Sequence, residues 1–155
     1  LHPIRFLDYK RLREAYNCPI ALGESFTSIN EFESYISGKC LDVIQPDITH
    51  CGGFTQALKI LHIATKNNIP IAMHVWGSPI SIQSNLHFAI AFDQVQWLEI
   101  PQVKLEILSD KIDFEKNIHD GTINLELKPG LGLSISEKVK NDSFFVKGSG
   151  YKILS

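Results

Sequence analysis

Glu24, Asp47, His74 and Glu99 each close a short apolar run. The runs are Pro19-Ile20-Ala21-Leu22-Gly23-Glu24, Leu41-Asp42-Val43-Ile44-Gln45-Pro46-Asp47, Ile69-Pro70-Ile71-Ala72-Met73-His74 and Val95-Gln96-Trp97-Leu98-Glu99. The four ionisable residues are 23, 27 and 25 positions apart. A carboxylate beside Gly23, where the chain has no side chain to block a ligand, suits a hard cation such as Mg2+, which prefers oxygen donors. The other reading of Glu24 is a carboxylate favoured by the positive end of the helix that follows. Asp47 held against one imidazole nitrogen of His74 would fix the tautomer and make the other nitrogen a general base near neutral pH. Alternatively, Asp47 caps a helix and His74 is a buried, hydrogen-bonded structural residue. Glu99 in dry surroundings would hold its proton and donate a hydrogen bond to a developing oxyanion; in water it is an ordinary strand-end carboxylate.

Other residues carry weaker signals. His50 faces the same rim, but a turn histidine exposed to water is the plainer reading. His62 and His87 fall within helices, and His2 and His119 belong to no pattern. Gly52-Gly53 lacks the spacing of a dinucleotide fingerprint and reads as a tight turn before a helix.

The intervals between the runs must be long enough for helices, and their residues fit. Residues 3–16 read as a helix with Ile4, Leu7, Leu12 and Tyr16 roughly on one face. Ser28-Ile29-Asn30-Glu31 matches a capping box that opens a helix through Ser37, with Gly38 as its stop. Residues 53–67 form an amphipathic helix with Phe54, Ala57, Leu58, Leu61 and Thr65 on one face. Ser78 with Pro79 opens another, whose stripe is Ile82, Leu86, Ala89 and Ile90. The strands are 19–23, 41–45, 69–73 and 95–99. This α-βα-βα-βα-β order predicts an α/β fold: a parallel sheet covered by helices. Catalytic side chains of a parallel barrel come from the C-terminal ends of its strands, so the four residues read as a rim. Residues 101–155 change character, with Pro, Gly and short alternating stretches, and predict an irregular or short-strand tail, not another βα unit.

Length and composition bound the reading. A closed eight-stranded βα barrel needs about 250 residues, and this chain has 155. At 44% hydrophobic and 21% charged residues the composition is that of an ordinary globular protein. A net charge of −2, with no basic cluster interleaved with aromatics, argues against a nucleic-acid partner. No run reaches the ~18 apolar residues of a membrane span. Cys18, Cys40 and Cys51 show no metal-ligand spacing and predict free, mostly buried thiols in a reducing cytoplasm. The chain opens on Leu1 and its one methionine is Met73, so a processed N-terminus or a piece of something longer is expected.

The ordered motifs Ile20-Ala21-Leu22-Gly23-Glu24-Ser25, Val43-Ile44-Gln45-Pro46-Asp47-Ile48-Thr49-His50-Cys51-Gly52-Gly53, Met73-His74-Val75-Trp76-Gly77-Ser78 and Trp97-Leu98-Glu99 resemble the mandelate racemase branch of the enolase superfamily. Asp120-Gly121-Thr122-Ile123 and Pro129-Gly130-Leu131-Gly132 resemble that family's C-terminal segment. The resemblance implies the C-terminal half of a TIM-like (β/α)7β barrel over residues 1–100. Residues 101–155 would then pack against the barrel and an absent N-terminal capping domain. It implies proton abstraction next to a carboxylate with Mg2+ stabilising the enediolate, Glu24 as a metal ligand and His74 as general base or acid. Asp47 would be the dyad partner of His74, and Glu99 the group that hydrogen-bonds the substrate carboxylate. A muconate-cycloisomerase relative would carry a lysine where His74 stands, so that branch is disfavoured.

The family's two further carboxylate ligands precede the matched region. The chain alone is therefore expected to be inactive, as part of an acid-sugar dehydratase or racemase completed by a missing N-terminal half or a second copy. The competing expectation is a non-catalytic, self-associating half-barrel module. A third is another metal-dependent barrel enzyme, a hydrolase or aldolase.

Overall fold

Alternating short strands and amphipathic helices build the chain as the periodicity requires. The computed structural model describes residues 2, 5–101, 118–126, 128–134, 137 and 141. In chain order the elements are α1 (Phe6–Ala15), β1 (Ala21–Leu22), α2 (Ile29–Ser37), β2 (Val43–Ile44), α3 (Phe54–Lys66), β3 (Ile71–Met73), α4 (Pro79–Ala91), β4 (Val95–Leu98), β5 (Ile118–His119) and β6 (Thr122–Ile123). Strands β1 to β4 form one parallel four-stranded sheet in sequence order. Each crossover is a helix, the connection that parallel neighbours demand.

The expected element order and starting signals hold, with local differences. The Glu31 carboxylate accepts the Ser28 backbone N–H at 3.0 Å, closing the start of α2 as the capping box predicts. Ser78 caps α4 with Pro79 in the first turn. Gly38 ends α2 in right-handed geometry, and it is Lys39, at φ 55°, that turns the chain left-handed.

The buried stripes differ from those expected. In α1, Leu7 and Tyr16 are exposed and Tyr9 is buried. Phe6 and Tyr9 both meet the Tyr35 ring edge-on, so two aromatics, not the aliphatic positions, dock this helix. In α3 the buried residues are Ala57, Ile60, Leu61 and Ala64, with Phe54 and Leu58 exposed.

The two sheet faces have different fates. Ile44, Ile71 and Met73 are fully buried in the core beneath the helices, with Leu22 and Leu98 packed against it. Register places Ala21 beside Val43 and Ala72 beside Trp97 on the opposite face. That face is open: Ala21 is exposed and Trp97 is 54% exposed.

Beyond β4, β5 and β6 form an antiparallel hairpin. Asp120 and Gly121 both take positive φ, 49° and 74°, as a two-residue hairpin turn requires. Ile123 and Leu125 pack on Val75, Ile82 and Leu86, which places this part of the 101–155 segment against the sheet-and-helix body. Of the 101–155 segment, residues 102–117, 127, 135–136, 138–140 and 142–155 lie outside the described residues. Of the cysteines, Cys40 and Cys51 are buried and Cys18 is exposed, all with free thiols.

Candidate active site

Each strand delivers its rim residue just past its C-terminal end. Register makes Gln45, His74 and Glu99 continue the open face that Val43, Ala72 and Trp97 begin, two residues further along each strand. At the end of β1, Gly23 has φ 130° and a Cβ there would lie 2.8 Å from a ring carbon of Phe32. Only glycine lets the chain turn here over the core and carry Glu24 to the rim.

Asp47 is the most enclosed of these groups, with no solvent exposure. Its Oδ1 accepts hydrogen bonds from the Thr49 N–H at 2.8 Å, the Thr49 hydroxyl at 2.7 Å and the Asn85 Nδ2 at 3.1 Å. Its Oδ2 takes His74 Nδ1 at 2.9 Å. Burial pushes the Asp47 carboxyl up, but hydrogen bonds from Asn85, Thr49 and His74 outweigh it and hold the group below the usual carboxylate value. An ionised carboxylate has no proton to give, so His74 Nδ1 carries the hydrogen of this bond. In the neutral imidazole, Nε2 is then bare and basic.

That nitrogen faces the rim. His74 Nε2 lies 3.8 Å from Glu24 Oε2 and 4.0 Å from Glu99 Oε2, with the imidazole 16% exposed. Glu99 is held from behind by Gln45, whose Nε2 donates to its Oε1. The structure thus brings all four sequence-predicted residues together. Asp47 serves a local turn as well as the histidine, while the start of α2 is closed by Glu31 and not by Glu24. The Glu99 side chain is 42% exposed, so the dry enclosure that a proton-holding Glu99 requires is not supplied by the described residues. His50 lies at the edge of the cluster, exposed, with Nδ1 3.5 Å from Asp47 Oδ2.

Three contributors escaped the sequence reading. Gln45 and Thr49 lie inside the strand-end motif with no role assigned by spacing, and Asn85 sits on the buried stripe of α4. A lone amide among buried positions was the available signal for Asn85, because interior polar groups need partners.

The donor set bears on a metal. Glu24 offers a 63% exposed carboxylate, the oxygen chemistry Mg2+ prefers. Among the described residues no group of three or more His, Cys, Asp or Glu side chains is arranged to hold a metal. The residues present fit the ion as one ligand of a larger set.

A parallel sheet with helices on one face and ionisable groups gathered past its strand ends is the plan of a βα-barrel enzyme segment. Residues 1–139 match the family model of the enolase C-terminal domain-like fold, and the chain belongs to that family. It is 31% identical over 132 residues to the L-talarate/galactarate dehydratase of Salmonella typhimurium, covering 85% of this chain and 31% of that protein. The 3,6-anhydro-D-galactonate cycloisomerase of Zobellia galactanivorans superposes with a TM-score of 0.79 at 27% identity, over 91% of this chain and 40% of that one. The L-talarate dehydratase of a Polaromonas species, complexed with Mg and L-glucarate, superposes with a TM-score of 0.69 at 26% identity, over 91% and 37%. The chain spans about a third of the length of the curated relatives it matches. The relatives include acid-sugar dehydratases, and the matched structures are barrel proteins of this superfamily.

Proposed function

We propose that this chain supplies the proton-transfer half of a Mg2+-dependent acid-sugar dehydratase or racemase active site, working in the cytoplasm. The observation that carries the reading is the His74 imidazole: Nδ1 is held by a buried, ionised Asp47 while Nε2 opens between Glu24 and Glu99. In a bound hydroxy-carboxylate, Nε2 takes the proton as the α-carbon C–H bond breaks. For dehydration, the electron pair left on carbon expels the β-hydroxyl, which departs as water on taking a proton from the His74 imidazolium. Reprotonation on the opposite face, by an acid from the segment outside these residues, gives the racemase outcome instead. Glu99, set by Gln45, would donate a hydrogen bond to the substrate carboxylate in its protonated form, which requires the segment outside these residues to shield it from water. Glu24 would be one of the Mg2+ ligands, and the bound ion would supply Lewis-acid stabilisation of the charge that builds on that carboxylate. The remaining ligands would come from a segment outside these residues, packed on the open sheet face. The test is a full-length enzyme carrying this segment, assayed on an acid-sugar library in D2O. His74→Asn abolishes both product and deuterium uptake at the α-carbon; a variant with full activity removes His74 from the mechanism.

The open face favours a second reading for the chain by itself. Exposed Ala21 and Trp97 on one sheet face, with outer edges of β1 and β4 unpaired within the sheet, make it a self-associating half-barrel. Light scattering at micromolar concentration shows dimers or larger species under this reading, and a stable monomer refutes it.

A further inference from the structure

Asn85 is an amide with no solvent exposure, placed on α4 among Ile82, Leu86 and Phe88. Such a group is costly to bury unless each donor and acceptor is matched. Here all are matched. Asn85 Nδ2 donates to Asp47 Oδ1 at 3.1 Å and to the Ser81 carbonyl at 3.0 Å, and Oδ1 accepts the Ile48 N–H at 2.9 Å. These partners also fix which way the amide points. Turned over, its oxygen would face a carboxylate and a carbonyl, and its NH2 would face a backbone N–H. One side chain therefore ties α4 to Asp47 and to the residue that follows it.

The consequence falls on His74. Asp47 Oδ1 is fully engaged by Thr49 and Asn85, so Oδ2 is left for His74 Nδ1. Thr49 is only two residues from Asp47 and moves with the same turn. Asn85 is 38 residues away on a packed helix, and it alone of the two references the carboxylate to the rest of the fold. We propose that Asn85 is a positioning residue: it anchors Asp47 so that His74 is held with its proton on Nδ1 and a bare Nε2 toward the rim. This rests on the reading of Asp47 and His74 as a working pair, and its test is independent of turnover.

Asn85→Leu is the informative change. It keeps the approximate volume but removes the donor to Asp47 without setting a charge beside it. The readout is 15N NMR of the histidine-labelled chain at about pH 8, with His74 assigned by its disappearance in His74→Asn. The native chain shows His74 mainly protonated on Nδ1. In Asn85→Leu the ratio of Nδ1-protonated to Nε2-protonated forms falls by about fivefold, the weight of one hydrogen bond, with unchanged circular dichroism. A folded variant with an unchanged ratio overturns the proposal, because a residue that only fills space or caps Ile48 would leave the tautomer alone.

A second measurement needs no variant. The Asn85 Nδ2 protons of the native chain exchange with solvent at least about tenfold more slowly than those of exposed Asn30. Equal exchange rates overturn the anchor even if Asn85→Leu fails to fold. A shifted tautomer in Asn85→Leu together with ordinary turnover of the full-length Asp47→Asn enzyme would sink the catalytic reading and leave the positioning role standing.

Discussion

Asp47 and His74 meet at 2.9 Å through Oδ2 and Nδ1, although they are 27 positions apart in sequence with the whole of α3 between them. The pair exists because β2 and β3 are parallel neighbours whose C-terminal ends reach the same rim. Replacing Asp47 by Asn would reverse the demand on Nδ1, since the amide NH2 calls for an acceptor. In the full-length enzyme Asp47→Asn is expected to lower turnover by about a thousandfold or more, the scale of a wrong-tautomer change in a comparable carboxylate–histidine pair. Substrate affinity should change little. A steady-state assay that finds turnover within tenfold of the parent removes Asp47 from the reaction.

Acid should act on the same carboxylate. Asp47 is held below its ordinary value of 3.8, so between the two values the unfolded chain binds more protons than the folded one. Its contribution to stability is present in full above the unfolded value and is lost as pH falls through the folded value. Urea midpoints measured across the acid range should drop steeply below about pH 4. Arg13-paired Asp42 and the capping Glu31 are lowered in the same direction and add to that slope. Asp47→Asn should give a shallower acid limb; an identical limb would mean that Asp47 does not titrate differently in the two states.

Glu24 and Glu31 make a useful contrast. Glu31 accepts from the Thr27 N–H at 2.8 Å and from the Ser28 N–H and hydroxyl, each at 3.0 Å. Removing it as Glu31→Ala should cost about 1 kcal/mol and lower Tm by roughly 2–4 °C in a chain of this size. Glu24 makes no such local bonds in return for its exposure at the rim. Glu24→Gln should leave stability unchanged within about 0.5 kcal/mol; if Glu24 is a Mg2+ ligand as proposed, it should raise the Mg2+ concentration needed for turnover of the full-length enzyme at least about tenfold. Thermal melts and Mg2+ titrations separate the two roles, and an unchanged Mg2+ requirement would remove Glu24 as a ligand.

The thiols divide by burial. Burial, helped by the Asp47 charge, pushes the Cys51 thiol up to about 11, and burial likewise raises Cys40. Cys18 is exposed. A thiol-reactive disulfide reagent should therefore modify Cys18 alone in the folded chain, and all three cysteines once denaturant is added. Rapid native modification of Cys51 would show that the turn after β2 opens on the time scale of the reaction.

Local sequence was enough for the elements and for the members of the rim. Short β-rich runs, Ser28 with Glu31, and Ser78 with Pro79 each express chemistry within a few residues, and the structure places them accordingly. Runs that each end in one ionisable residue, joined by helix-length intervals, already imply parallel strand ends on one rim.

Packing decided the rest. Nothing local distinguishes Leu7 from Tyr9 on α1, or Leu58 from Ile60 on α3; the neighbouring rings and the sheet surface choose which is buried. Nor does spacing reveal that Asn85, not a nearer residue, holds Asp47, or that Gln45 holds Glu99 across the strand between them. Those contacts join residues far apart in sequence, and their existence depends on strand register and on the distance of α4 from the sheet. The chain determined which groups could do chemistry; tertiary structure determined which nitrogen of His74 is bare and which way it faces, because both depend on partners supplied by other elements.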